Sequence, residues 1–496
     1  MLALIYFLTR FMHIMSPLIF NDEAIYIRFA QIELTQSYSW LISLSVGRQP
    51  LFIWLVSIML FVSKDPLFAS RLVSVLSGFC SLLGLWFVSN ELFQKREIAF
   101  ITALVYIFYP FGLVYDRLGM LESLLGACTI WSFYLAILLA KQGKLHLAYT
   151  LGFLLGAGLL TKSNAVFSIL LVPLTGVFIL YSKKNRLRNA IRWVFFIFLS
   201  CLIALILNLI VQLSPAFQAV LGSHQVYIFT AHQLFHRSIV FIVNNFIKNF
   251  SFLCLQLFFY LTPIFSLFLV ASLFRFPKHS KERFLLWGYF FIPLVLIALF
   301  GKSLQIRYIY PFTLPLLILI GESMYQVIFF ISNVKLRILN NIFLEIILLC
   351  ILLFYPIIVC SLIIFAPMHA PIPTFEKNQY FNTGIGWGIP QSVKLFTNLA
   401  LKEKIYIATD GVQGIIPQAL QIYLSKNPNI TIQGYFPITD IVPTELYQIS
   451  RKMPTYFVTY KNQNISIPDS YNLKLLYQIS QGTSLLQYRI YQVSQQ

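Results

Sequence analysis

Apolar residues run in long blocks through the first three quarters of the chain, broken by short polar loops. A membrane-crossing helix needs roughly 20 mostly apolar residues. Eleven stretches meet that need, at about 2–20, 67–90, 98–115, 120–140, 147–161, 164–181, 193–213, 251–273, 284–300, 308–331 and 339–366. The run 51–63 follows Pro50 and is too short to cross, so its pattern predicts a helix lying in the interface. Two loops are long, 20–66 and 214–250. Beyond Phe365 the pattern turns to the Pro, Asn, Gln and Asp of a water-exposed domain. There, Lys404 to Asp410 reads as a strand, Asp410-Gly411 as a turn and Pro417-QALQIYL as a helix, with further strands at Ile430-TIQGYF, Thr455-YFVTY and Leu485-LQYRIYQV. The expected architecture is an α-helical polytopic membrane protein of about eleven transmembrane helices over residues 1–366, followed by an extracytoplasmic α/β domain over residues 367–496.

Composition agrees with this picture. Of 496 residues, 58% are hydrophobic and 11% charged, and the mean hydropathy is +0.77. The net charge of +19 raises nucleic acid as a partner, but most Lys and Arg sit in short loops between spans, which is a topology signal and not a binding stripe. With 51–63 left in the interface, the loops 91–97, 141–146, 182–192, 274–283 and 332–338 hold 15 basic residues, and the much longer opposite loops hold nine. The positive-inside rule puts the first set in the cytoplasm. The expected location is therefore the plasma membrane, multi-pass, with loops 20–66 and 214–250 and the C-terminal domain outside. Arg10 interrupts the first span; either it faces the bundle interior or the recorded start is short of the true one. The six cysteines all lie in apolar segments without a CxxC pair, so neither a disulfide framework nor a thiolate metal site is indicated.

The outer side of the membrane gathers the candidate chemistry. Asp22-Glu23 opens the loop 20–66, where a carboxylate can act as general base toward a hydroxyl. The plain alternative is a helix cap, since acids favour helix N-termini. Arg48, before Pro50, can clamp a phosphate at headgroup depth or simply anchor to lipid. Arg307 and Tyr308 are suited either to a phosphate or to an interfacial belt. Asp116-Arg117 reads as a supporting acid–base pair or as a cap with a local ion pair, and Lys162 as a supporting cation or a snorkelling one. His232 and His236 are spaced i, i+4 as a metal pair would be, but loop 214–250 offers no acid to complete a site. Asp410-Gly411-Val412-Gln413-Gly414 has the form of a strand–loop–helix anion site without a P-loop lysine, and a tight turn explains it better.

Taken in order, the motifs FNDEAIYIRFA, GRQPLFIWL, YDRLGMLES, GLLTKSNAVF and RYIYPFTLPLL resemble the GT-C fold membrane glycosyltransferases over roughly residues 15–330. The groups they resemble are the protein O-mannosyltransferase family (glycosyltransferase family 39) and the lipid A aminoarabinose transferases. The resemblance implies inverting transfer of a sugar, hexosyl or pentosyl, from a polyprenyl-phosphate donor to a protein, lipid or glycan hydroxyl on the outer face. Asp22 would be the base and Glu23 would help place the acceptor. Arg48, Arg307 and Tyr308 would hold the donor phosphate, with Asp116 and Arg117 as a second patch near the site. Gly47 stands where the aminoarabinose transferases carry an acid, which weakens a zinc reading. No cofactor follows from the residues, and a divalent metal stays open. No loop is long enough for the β-trefoil insert of the eukaryotic mannosyltransferases. Two other functions compete. A transporter or lipid flippase predicts ionisable residues at the midplane, for which the chain offers mainly Arg10, His13 and Glu345. A non-catalytic assembly protein gives the Asp-Glu pair no duty.

Overall fold

The computed structural model describes residues 1–36, 39–180, 186–274, 279–333, 341–382, 386–436, 442–443, 445–462, 472–480 and 486–493. The chain forms two compact units: Met1–Met12, Tyr38–Leu55 and Arg71–Pro373 in the first, and His13–Ser37, Val56–Ser70 and Thr374–Gln496 in the second.

Each expected span contains helix, but the first, 2–20, is helical only over Leu2–Phe11, too short to cross by itself, so the described residues do not show eleven crossings. Among the described residues seven helices are long and apolar enough to cross: Pro66–Phe93, Leu121–Gln142, Arg186–Gln212, Ile239–Phe274, Ser280–Phe300, Ile306–Ser332 and Ile342–Phe365. The expected span 98–115 is a broken one, Arg96–Ile107 and Pro110–Asp116 meeting at 61°. Pro110 supplies the reason, because it begins the second piece without an N–H to continue the first. Three shorter apolar helices, Leu2–Phe11, Leu145–Thr161 and Ser163–Ile179, fill the remaining positions. The windows in Arg186–Gln212 and Ile342–Phe365 are only 28% buried, which leaves them a lipid-facing surface. The run 51–63, expected to lie in the interface, holds the short helix Leu51–Met59.

In hydrocarbon the hydrophobic effect does not drive helices together, so close backbone approach must do it. Gly152 and Gly156, four residues apart, provide that approach against Arg186–Gln212. A Cβ on Gly152 would stand 2.8 Å from both Ile203 Cβ and the Ser200 carbonyl, and one on Gly156 would stand 2.6 Å from Leu207 Cδ1. Ser200 Oγ donates to the Ala148 carbonyl at 2.8 Å across the same seam. In helix Ile239–Ala271, Pro263 follows Thr262 at φ 60°, ψ 158°, and the two break the helix.

The second unit carries a five-stranded sheet in the order β2-β1-β3-β5-β4, with β1 Ile405–Asp410, β2 Ile430–Tyr435, β3 Thr455–Asn462, β4 Leu473–Ser480 and β5 Leu486–Val493. β1 is parallel to β2 and β3, β3 is antiparallel to β5, and β5 to β4. Ala408, Phe457, Tyr491 and Val493 of the strands pack with Val442 and Leu446. β4 was not predicted. Its alternation is broken by a register shift between Leu475 and Tyr477, and as an edge strand it leaves Leu475 exposed. Helix Ile415–Leu424 packs on helix Asn21–Thr35 within this unit: Asn21 Oδ1 accepts from the Ile415 N–H at 3.0 Å, Gln31 Nε2 donates to the Ile422 carbonyl at 3.0 Å, and Arg28 donates to Ser425 Oγ at 3.0 Å.

Candidate active site

In the first unit, Glu122, Lys162, Arg307, Tyr308 and Arg48 form one polar cluster. Glu122 lies in the first turn of Leu121–Gln142, where a carboxylate is favoured by the helix dipole. Lys162 ends helix Leu145–Thr161 in an extended conformation, φ −161° and ψ 143°, which turns it out of the helix. Its Nζ donates to Glu122 Oε1 at 2.7 Å and lies 5.0 Å from the centre of the Tyr308 ring. Arg307 Nε lies 3.8 Å from the same carboxylate oxygen. Tyr308 is held in turn by Asn164, whose Nδ2 donates to its carbonyl at 3.3 Å. Burial pulls the Lys162 ammonium below the usual lysine value; Glu122 opposes that shift, and Arg307 and Arg48 add to it. Two cations, Lys162 and Arg307, therefore meet at one carboxylate that is 1% exposed, and Arg48 is near enough to act electrostatically on Lys162 and Tyr308. Such an arrangement suits an incoming phosphate. Glu122 is the residue that motif reading left without a role, although YDRLGMLES holds it six places after Asp116.

The expected Asp116–Arg117 ion pair is not what forms. Asp116 is wholly buried and accepts from Arg10 Nε at 3.2 Å, Ser123 Oγ at 2.8 Å, Tyr6 at 3.2 Å and Tyr106 at 3.1 Å. Arg10 is equally buried, and it also donates to the Ile107 carbonyl at 2.6 Å. The charge in the last turn of helix Leu2–Phe11 thus faces the interior and meets its counter-ion there. Arg117 instead donates to the Met12 carbonyl at 2.8 Å. The reason is geometric: Asp116 ends a helix that bends inward after Pro110, and Arg117 begins the following turn.

Asp22 and Glu23 belong to the second unit. They lie in the first turn of Asn21–Thr35, 4% and 0% exposed. The capping role expected as the alternative for Asp22 falls to Glu23, whose Oε2 accepts from the Phe20 N–H at 2.8 Å. Asp22, one residue earlier, is set by the helix start that Glu23 fixes. At the Asp410–Gly414 turn three backbone donors are engaged within the protein, Gly411 N–H to the Tyr435 carbonyl at 2.8 Å, Gly414 N–H to Gln418 Oε1 at 2.7 Å and Ile415 N–H to Asn21.

Among the described residues no group of three or more His, Cys, Asp or Glu side chains is arranged to hold a metal ion. His232 and His236 stack at 4.0 Å between ring centres, and His236 Nδ1 lies 2.9 Å from the His232 carbonyl.

Comparison with known proteins adds three findings. Residues 47–211 match the family model described as dolichyl-phosphate-mannose-protein mannosyltransferase, a stretch that holds Arg48, Asp116, Arg117, Glu122 and Lys162. No curated protein matches the sequence. The crystal structure of ArnT from Cupriavidus metallidurans in the apo state is similar over 99% of this chain and 96% of that one, at 13% identity and a TM-score of 0.58. The structure of the same protein bound to undecaprenyl phosphate gives 15% identity with the same coverages and TM-score. The chain has the GT-C fold of the ArnT structures and, over its matched third, resembles the mannosyltransferase family that its motifs pointed to.

Proposed function

We propose that the protein is an inverting glycosyltransferase that moves a sugar from a polyprenyl-phosphate donor to a hydroxyl of a protein, lipid or glycan acceptor at the outer face of the membrane. The observation that carries this reading is the meeting of Lys162 and Arg307 at Glu122, with Arg48 close enough to act on Lys162. As the bond from the anomeric carbon to the phosphate oxygen breaks, charge grows on the departing phosphate. Fixed cations in a partly buried site stabilise that charge more than water does. Arg48, Arg307 and Tyr308 hold the phosphate, with Lys162 in support and Glu122 keeping Lys162 charged and in place. Asp22 takes the proton of the acceptor hydroxyl, whose oxygen attacks the opposite face of the sugar and inverts it. Glu23 fixes the helix start that carries Asp22.

The undecaprenyl phosphate bound by ArnT has the chemistry of the leaving group proposed here, and the shared fold supports extending it to this chain. We assign Asp116 and Arg117 to the scaffold instead of the substrate, because Asp116 is fully buried among four donors. The same pairing removes Arg10 from the midplane groups that a transporter would need. The catalytic loops and the C-terminal domain are extracytoplasmic in this reading, as the distribution of basic loops requires.

The test is a panel of polyprenyl-phosphate sugars offered to purified protein with released polyprenyl phosphate as the readout. Release from at least one donor is expected, with Arg307→Gln weakening donor binding about tenfold, the loss of one charge-assisted contact. Binding of no donor by the wild-type protein contradicts the proposal.

A further inference from the structure

Loop 214–250 carries a second cationic site that the proposed reaction does not use. A pocket of about 440 Å³ is lined by Phe229, His232, Gln233, His236, Arg237 and Lys302. Two segments distant in sequence build it. Ile228 and Gly301 form an antiparallel bridge, the Phe229 N–H donates to the Phe300 carbonyl at 2.7 Å, and the Lys302 N–H donates to the Tyr227 carbonyl at 2.9 Å. The short helix Ala231–Phe235 is fixed by a capping box: Thr230 Oγ1 accepts from the Gln233 N–H at 3.1 Å and Gln233 Oε1 from the Thr230 N–H at 3.2 Å. The same Gln233 oxygen accepts from Lys302 Nζ at 3.2 Å, and the Gln225 carbonyl accepts from it at 2.7 Å. Lys302 is thereby pinned by two of its three N–H groups above the Phe229 ring, 5.0 Å from its centre.

The charge balance of the pocket is one-sided. Loop 214–250 contains no Asp or Glu, and among the described residues no carboxylate pairs with Lys302, Arg237, His232 or His236. A surface cation is ordinarily met by a nearby acid or left on a mobile side chain. Here a lysine is held rigid beside an arginine and two imidazoles without a counter-ion among the described residues. The donor set, an arginine fork with an ammonium and ring N–H groups, matches the tetrahedral oxygens of a phosphate group.

We propose that this pocket binds a phosphate group distinct from the one held at Lys162 and Arg307, supplied by an anionic lipid headgroup or by a soluble phosphate. It anchors loop 214–250 to that group. None of the residues lining it takes part in the proposed transfer, and its test does not depend on that reaction.

The experiment uses the full chain in nanodiscs of phosphatidylcholine or phosphatidylglycerol and, separately, in detergent with inorganic phosphate. Bound lipid is counted by native mass spectrometry, and phosphate affinity is read by calorimetry. Arg237→Gln and the pair His232→Gln/His236→Gln are the variants, chosen because neither removes the Lys302 contacts that hold the loop. Lys248→Gln, a cation of helix Ile239–Ala271 outside the pocket, is the control. Retention of phosphatidylglycerol but not phosphatidylcholine, weakened about tenfold by Arg237→Gln and unchanged by Lys248→Gln, supports a headgroup site. Inorganic phosphate binding with the same variant pattern supports a soluble phosphate. Equal losses in Arg237→Gln and Lys248→Gln mark diffuse charge and overturn the proposal, as does indifference to both ligands.

Discussion

The Arg10–Asp116 pair allows a sharp test of how the first helix is held. Both side chains are wholly buried. Asp116 takes four donors, one charged and three hydroxyl. Removing one partner of a buried pair costs about 3–5 kcal/mol, mostly because the other charge stays behind without compensation. The two halves should not be equivalent. After Arg10→Met, Asp116 keeps the hydroxyls of Tyr6, Tyr106 and Ser123 and can neutralise itself by taking a proton. After Asp116→Asn, the guanidinium cannot shed its charge and keeps only neutral partners, the carbonyls of Ile107 and Tyr106 and the Thr9 hydroxyl among them. We therefore expect Asp116→Asn to lose about 3–5 kcal/mol and Arg10→Met roughly 1–3 kcal/mol. The double variant Arg10→Met/Asp116→Asn should recover much of this, with a coupling of about 1–3 kcal/mol. Unfolding in detergent followed by tryptophan fluorescence reads all four proteins. Strict additivity, or an Asp116→Asn protein within about 0.5 kcal/mol of wild type, refutes the reasoning.

Three further outcomes are expected. Glu122→Gln removes the one group that holds the Lys162 value up against burial, so Lys162 loses its proton at lower pH; the alkaline fall in donor binding should move to lower pH, and an unmoved profile contradicts the pairing. Glu33 is raised to about 7 by burial, with Ser57 donating to it at 3.0 Å; a raised carboxyl favours the fold below its unfolded value and loses that contribution as pH rises through about 7, so Glu33→Gln should flatten the decline in stability between pH ~5 and ~8 measured by thermal unfolding. Gly414 sits at φ +94°, and a Cβ there would collide with Asn21 Oδ1; Gly414→Ala should cost about 1–3 kcal/mol and loosen protection of the Ile415 amide in hydrogen exchange, whereas protection equal to wild type would show the contact to be slack.

Much of the fold was legible because membrane spans and strands are announced locally. Twenty apolar residues need no partner to be recognised, and KIYIATD or TYFVTY alternates on its own. What escaped was set by distance. The counter-ion of Arg10 lies 106 positions away, and nothing around either residue signals the other, so Asp116 was paired with its neighbour Arg117. Glu122 looked like an ordinary first-turn acid, and only the fold brings it to Lys162, 40 positions on. Capping fell to Glu23 and not Asp22 because the helix begins one residue earlier than the acids suggested, at Asn21. β4 was hidden by a bulge that places two leucines side by side. The Gly152–Gly156 seam was present in the letters LGFLLGAG but has meaning only against a facing helix.

The central claim is that Asp22 acts as the base in sugar transfer from a polyprenyl phosphate. With a donor and acceptor that support turnover, release of polyprenyl phosphate should be followed for wild type and Asp22→Asn, together with donor binding. The account predicts release reduced by a factor of about 10² or more in Asp22→Asn with donor affinity kept, since a positioned base contributes roughly that to the chemical step. Turnover equal to wild type in Asp22→Asn would contradict it.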